Sequence, residues 1–545
     1  MARTPLMHAL RQLAAEHAAA RRLGLPVAEV RGSTRRQLLG RAAALGLGTA
    51  FASAAGASAS AHAVEALPAK QPVTPARVAV VGAGISGLTA ALTLQDAGVA
   101  CTLYEANPSR VGGRMYSQRS LWAYGQTSEI GGELIDTSHK KILELCRRFN
   151  LPTEDFLGGG PNGAEELLWF NGTYYARTQA DEDFKAVYQA LRRDLQEAGE
   201  VSWNSTTPAG TALDDMTLYE WIETRVPGGH GSQLGRFIDV AYNVEYGADT
   251  DQQSALALVL LMGYQPNPGS FNVWGQSNER YHITGGNDQL PNAIAKALPA
   301  GSLVMGRELT AVRVAVDGTQ TLTFNDAGAT RTVVADHTIL CLPLPILQRI
   351  DLTGAGFDPL MKNLLRDARM GYCTKLNMQF TSRPWRGTGP WPGVSAGDCF
   401  NDLDIQQTWD TTKVQPGNGG ILLQYGGGTL AGSLTPASPF ATDSDPYVRT
   451  LAGRMLTGID AFFPGTKAAW TGRAQLSAWH RNPYSLGAYS YWPTGYLHKY
   501  AKYEGTAQGR IHIGGEHCSY DFQGFMEGGA TEGERAAREV ITALT

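Results

Sequence analysis

Cysteine is scarce in this chain: there are six, Cys101, Cys146, Cys341, Cys373, Cys399 and Cys518, in 545 residues. None stands at CxxC or any other metal-ligand spacing, so a metal site built on cysteine is excluded and no disulfide framework is legible. Blocks of like charge are missing too. With 46 Lys+Arg against 50 Asp+Glu the formal charge is −4, and without a basic stretch neither nucleic acid nor an anionic membrane is an expected partner. No internal repeat is present, no low-complexity segment occurs outside the first 63 residues, and no acid–base pair of the hydrolase kind stands out. The weakly apolar run in that first segment is built from Ala, Gly and Ser, a composition that inserts poorly into lipid.

What is present is an ordinary globular balance, 43% hydrophobic and 18% charged, long enough for two to three domains. Residues 1–63 stand apart from it. Arg35 and Arg36 precede the Ala/Gly run that ends in Ala61-His62-Ala63, the layout of a twin-arginine export signal behind a long lead segment. The expected location is therefore periplasmic or secreted, for a bacterial protein exported already folded and without stable membrane insertion.

The most specific stretch is "RVAVVGAGISGLTAALTLQDAGVACTLYE". The apolar run Val78–Val81 reads as a buried parallel strand, a helix runs from the glycines to about Ala97, and 101–104 form a second strand. Gly82, Gly84 and Gly87 stand at GxGxxG spacing between strand and helix. Gly82 serves the tight turn, Gly84 the approach of a pyrophosphate, and Gly87 the close packing of the helix, whose N-terminus attracts the negative charge. Glu105 ends the second strand where ribose hydroxyls are bound. An acid there favours a free 2′-hydroxyl, hence FAD or NAD over NADP.

The continuation "EANPSRVGGRM", with Arg110, Gly113 and Arg114, resembles the flavin amine oxidase family, which includes monoamine oxidases, polyamine oxidases and L-amino-acid oxidases. The closing "RIHIGGEHCSYDFQGFMEGGATEGERAAREV" is similar to that family's C-terminal motif, and "EIGGELIDTSH" (129–139), "YHITGGNDQLPNAIAKAL" and "VVADHTILCLPLPILQRI" follow in the family's order. The resemblance implies an α/β fold: a discontinuous Rossmann-like FAD-binding domain from 74–139, 282–345 and 505–545. Segments 140–281 and 346–504 would form an inserted α+β substrate domain with a helical part and a sheet part. Ser86 and Ala106 beside the fingerprint, Gly131, Gly132 and Glu133 on the flavin face, Leu309 at the adenine, and Glu516, Phe525, Met526 and Gly529 at the closing motif are the further cofactor contacts implied. Gly528 and Gly529 are expected to clear the approach to a helix N-terminus that faces the flavin. Ala488 stands where mitochondrial monoamine oxidases carry the cysteine that links FAD, so the cofactor is expected to be non-covalent.

The resemblance also supplies the chemistry. Lys375, in "MGYCTKLNMQFTSRPW", is placed to hold a water at the flavin. Tyr489 and Phe525 correspond to the aromatic pair that sandwiches the substrate amine, and Trp479 belongs to the same segment. The implied reaction oxidises an amine to an imine that water hydrolyses to a carbonyl and ammonia, with molecular oxygen consumed and hydrogen peroxide released. Tyr425 and the "WHRNPYSLG" segment point to an L-amino acid as substrate, Tyr425 binding its carboxylate. Against this, Leu134 occupies the position where many L-amino-acid oxidases carry a carboxylate-clamping arginine, leaving Arg280 as a substitute. The alternative is a monoamine or polyamine, with Asp136 meeting a second cationic group. The family leaves a homodimer open.

Overall fold

The structure is a computed structural model that describes residues 76–265 and 270–545; the lead segment and export signal expected in 1–63 lie outside the described residues. Strand Val78–Val81 is buried along its whole length, as its unbroken apolar run dictates for a strand covered on both faces. It lies at the centre of a five-stranded parallel sheet, flanked by His337–Leu340 and Cys101–Glu105, with Ile511–Ile513 and Leu303–Met305 at the edges. Three distant stretches of sequence thus meet in one sheet.

Helix Ile85–Asp96 follows the first strand, and the C-terminal helix Met526–Leu544 packs on it. Their approach is very close: a Cβ on Gly533 would stand 2.0 Å from the Ser86 carbonyl oxygen. A four-stranded sheet, in the order Ala329–Ala335, Gln320–Asp326, Glu308–Val314 and Asp351–Gly354, extends past residue 345.

The largest sheet has seven strands, ordered Trp470–Ala478, Cys373–Phe380, Gly420–Gly427, Gln407–Asp410, Cys399–Asn401, Leu167–Phe170 and Thr173–Tyr174. The last two come from 140–281, so that stretch is not purely helical. The run Leu167–Phe170 is too short for periodicity to separate strand from helix, and its pairing with Cys399–Asn401 decides it. The remainder of 140–281 is largely helical, with Arg177–Ala198, Gln233–Tyr246 and the wholly buried Ala255–Met262. Trp221 is also fully buried, its Nε1 donating to Asp194 at 2.8 Å. Neither Trp221 nor Ala255–Met262 lines the site described below. Among the described residues no helix is long and apolar enough to cross a membrane.

Candidate active site

One cavity of about 620 Å³ runs from the glycine turn after Val81 to the face of the seven-stranded sheet. The residues expected at the site line it, except Gly87, Gly528, Asp136 and Arg280. At the nucleotide end these are Gly82, Gly84, Ser86, Glu105, Ala106, Arg110, Gly113, Arg114 and Leu309. In the middle are Gly131, Gly132, Glu133, Glu516, Phe525, Met526 and Gly529, and at the substrate end Leu134, Lys375, Tyr425, Trp479 and Tyr489. Gly87 sits behind the wall, where a Cβ would lie 1.9 Å from the Gly82 carbonyl oxygen.

The glycines separate into two kinds. Gly82 has φ +97 and a Cβ there would meet the Cys341 carbonyl oxygen at 2.5 Å, so the turn itself requires it. A Cβ on Gly84 meets nothing closer than the Gly113 Cα at 3.9 Å. No neighbour in the fold demands a glycine at 84; the bare backbone faces the cavity. Helix Ile85–Asp96 starts at that point with no acidic residue in its first turn, leaving its positive end for an anion. Glu105 Oε2 accepts from the Ala83 amide at 2.7 Å and Oε1 from the Asn107 amide at 2.8 Å, which holds the carboxylate against the same wall. An open glycine, a helix N-terminus and an anchored acid in this order fit a flavin dinucleotide.

Of the two C-terminal glycines, Gly529 lines the cavity and Gly528 does not. A Cβ on Gly528 would stand 2.1 Å from the Phe522 carbonyl oxygen, and one on Gly529 would stand 2.8 Å from Ile85 Cγ2. The bare backbone at Gly528 makes room for the preceding loop, and that at Gly529 for helix Ile85–Asp96 beside the cavity. Glu516 lines the cavity but its carboxylate is fully engaged, accepting from Arg114 Nη1 at 2.9 Å, from the Ser490 amide and hydroxyl, and from the Gly524 amide. It ties the closing motif to the R-x-G-G-R segment.

Strand register builds the substrate end. Gln407, Tyr425 and Lys375 are paired across neighbouring strands, so their side chains emerge on one face. Lys375 Nζ donates to the Gly131 carbonyl at 2.8 Å and to Glu133 Oε2 at 2.6 Å, and the side chain is 9% exposed. Glu133 Oε1 accepts from Trp409 Nε1 at 3.1 Å. The Tyr489 hydroxyl donates to the Val244 carbonyl at 2.7 Å and lies 2.8 Å from the Tyr425 hydroxyl. With the Tyr489 proton committed to a carbonyl, Tyr425 must be the donor between them. Burial pushes both hydroxyls well above the usual tyrosine range, so they remain neutral. Tyr425 in this arrangement turns lone pairs, not its proton, to the cavity. Trp479 is held by its Nε1 bond to the Ile130 carbonyl at 2.9 Å.

Two expectations are corrected. Arg280 does not line the cavity; its guanidinium pairs with Asp155 at 2.6 Å, both side chains about 40% exposed. Asp136 does not line it either. Buried to 2% exposure, it accepts from the Ser277 hydroxyl and from the amides of Asn278 and Glu279. Its charge is consumed in shaping the 277–279 turn, with the Asp136 amide donating to His139 Nδ1. Burial lowers His139 to about 4, so its ring is neutral where it packs edge-on against Phe525 at 4.8 Å.

Sequence reasoning missed an acidic group at the substrate end: Glu166, Glu245, Glu279 and Asp398 line the cavity with Lys413. Burial pushes Glu166 up to about 7 against the pull of Arg177, and burial with the nearby Glu245 and Asp136 charges pushes Glu279 up to about 8. Lys413 is paired with Asp398 at 3.0 Å. Glu279 adopts φ +44, uncommon for a residue with a side chain. No motif carries these positions, and separate loops and a helix end bring them together.

The description "Flavin containing amine oxidoreductase" belongs to the family model that matches residues 85–541. An amine oxidase [flavin-containing] of Danio rerio is 24% identical over 86% of each chain. A putative L-amino-acid oxidase of Bacillus subtilis is 24% identical over 86% of this chain and 95% of its own length, and an L-amino-acid oxidase of Siganus canaliculatus is 26% identical over 85% of each. Among solved structures, wild-type putrescine oxidase bound to putrescine superposes with a TM-score of 0.70 at 20% identity, over 86% of this chain and 99% of its own. Cyclohexylamine oxidase from Brevibacterium oxydans IH-35A gives 0.70 at 21%, over 86% and 100%. With the family model spanning most of the chain and the flavin cradle, the buried lysine and the aromatic wall all in one cavity, the chain belongs to the flavin containing amine oxidoreductase family.

Proposed function

We propose that the protein is an FAD-dependent oxidase of an amine that carries a second cationic group and no α-carboxylate. The observation that carries this reading is the charge of the substrate end. Glu166, Glu245, Glu279 and Asp398 line it, while the arginines that line the cavity, Arg110, Arg114 and Arg307, lie along the nucleotide side. Lys375 and Lys413 there are already paired with Glu133 and Asp398, so an entering α-carboxylate finds its cations occupied and opposes ionisation of Glu166 and Glu279, whereas an ammonium draws those carboxyls into their charged form and is stabilised. The flavin, when bound, supplies the two-electron oxidation of the amine carbon. The chain's own residues bind and orient: Tyr425 accepts from the amine, Phe525 and Tyr489 form apolar walls that exclude water, and the carboxylates hold the distal cation. The products are an aldehyde after hydrolysis of the imine, ammonia, and hydrogen peroxide from oxygen. FAD is non-covalent in this reading, because Ala488 offers no nucleophile and the cavity-lining thiols Cys341 and Cys373 are both pushed up to about 12 by burial.

A second reading, an L-amino-acid oxidase, is favoured by the relatives that bear that name. Its best substrate would be a basic amino acid, whose side-chain cation suits the same carboxylates. Anaerobic bleaching of the bound flavin and peroxide release, measured across diamines, polyamines, monoamines and L-amino acids, decides between the two. Diamines or polyamines ahead of all amino acids is the expected result. Turnover confined to amino acids reverses the assignment, and no bleaching by any of them removes the oxidase function.

A further inference from the structure

Glu133 occupies an unusual place for a carboxylate. It follows the glycine pair directly, lines the cavity and is 6% exposed, yet neither of its oxygens is left to a ligand alone. Oε2 lies 2.6 Å from Lys375 Nζ and Oε1 accepts from Trp409 Nε1. Lys375 Nζ also donates to the Gly131 carbonyl at 2.8 Å and stands 5.5 Å from the centre of the Trp409 ring. Two of the three N–H bonds of the ammonium are therefore fixed by groups two residues apart on one loop, and the third is left for the cavity. A flexible four-carbon side chain is held in one geometry by this fork, and its charge is compensated at contact distance.

We infer that Glu133 is a positioning residue and counter-ion for Lys375: it fixes the direction of the ammonium's remaining N–H and cancels most of the positive field that Lys375 would impose on the flavin. Neutralising Glu133 leaves an uncompensated ammonium beside the cofactor; neutralising Lys375 leaves an uncompensated carboxylate. The two changes act on the flavin with opposite sign. A lysine held only by packing, with Glu133 a spectator, has no such antisymmetry. The inference rests on the cavity binding a flavin and not on which amine is oxidised.

The test is an alkaline titration of the oxidised, substrate-free holoenzyme, following the visible-band change as the flavin ring loses its N3 proton. Glu133→Gln should move the midpoint down by about one pH unit and Lys375→Met should move it up by a similar amount, as a unit charge at short range in a partly desolvated site requires. Glu133→Asp should restore the midpoint to within about half a unit of wild type. Shifts of the same sign in Glu133→Gln and Lys375→Met, or shifts below about 0.2 unit in both, overturn the inference. Where a variant loses its flavin, thermal melting of the apoproteins decides: direct pairing requires that the double variant lose less than the two single losses combined, and additive losses sink it. Anaerobic bleaching of wild type by an amine tests the oxidase reading separately, because the titration uses no substrate.

Discussion

His282 donates from Nε2 to Glu129 Oε1 over 2.9 Å, and its Nδ1 lies 2.8 Å from Glu154 Oε1. The ring is 3% exposed and Glu129 1%. Glu129 also accepts from the Ser117 hydroxyl and the Asn287 amide, so this contact fastens the "EIGG" loop to the "YHITGGN" segment. Burial works against a charged ring, but the carboxylates of Glu129 and Glu154 overcome it and raise His282 to about 9. The histidine is thus an imidazolium clamp between these two segments.

A pH dependence of stability follows with a definite sign. The unfolded value is about 6.5, so the contribution is complete below that pH and disappears as pH rises through about 9. Calorimetry of the holoenzyme from pH 6 to 10 should show a loss of roughly 3 kcal/mol across that window from this group. In His282→Gln that part of the slope should vanish, with lower stability already at pH 6.

The two kinds of glycine in the fingerprint should respond differently to a methyl group. Gly87→Ala drives a Cβ to 1.9 Å from a backbone oxygen and should cost roughly 3 kcal/mol or more, lowering the melting temperature of the apoprotein. Gly84→Ala has room within the protein and should leave apoprotein melting within about 2 °C, while weakening FAD binding about tenfold or more. Equal loss of melting temperature in both would refute the assignment of Gly84 to the ligand.

Glu279 gives the proposed distal subsite its pH signature. Its carboxyl, at about 8, is mostly neutral at pH 7 and charged at pH 9. The KM for a diamine should therefore fall as pH rises from 7 to 9 by more than the KM for a monoamine of similar length, the monoamine correcting for amine ionisation. Glu279→Gln should raise the diamine KM about tenfold at pH 9 and remove this difference, with kcat changed less than about threefold.

The tyrosine pair can be split by one atom. Tyr489→Phe removes the hydroxyl that accepts from Tyr425 and donates to the Val244 carbonyl. A loss of about 1 kcal/mol in denaturant titrations is expected, since the Val244 carbonyl then keeps only the weak Cys373 thiol donor at 3.5 Å. The Tyr425 proton is also released to the cavity, so amine binding should weaken while carboxylate-containing inhibitors bind more tightly. Unchanged affinity for both classes contradicts the donor direction assigned here.

Much of the nucleotide end was legible in the residues themselves. A buried apolar strand, three spaced glycines and a terminal acid are local demands, and local sequence meets them: Val78–Val81, Gly82 and Gly87 do in the structure what their types and spacing require. What local pattern could not reveal was how a side chain is used once several segments converge. Asp136 reads as a candidate cation ligand, yet the 277–279 turn folds onto it and takes its oxygens. Arg280 reads as a clamp, yet an exposed strand pairing sets it against Asp155.

For this protein, then, sequence alone determined the dinucleotide fingerprint and the family-ordered motifs around it, since backbone conformation and strand–helix packing depend on residues within a few positions of each other. Tertiary structure alone decided the acidic character of the substrate end. Glu166, Glu245, Glu279 and Asp398 are scattered over more than two hundred positions, and they come to line one cavity only once those distant elements have closed around it. It likewise made Glu133, two positions beyond the start of the glycine pair, the partner of Lys375 as well as a lining residue of the cavity, because strand register brings an ammonium from 242 residues away to within 2.6 Å of its carboxylate.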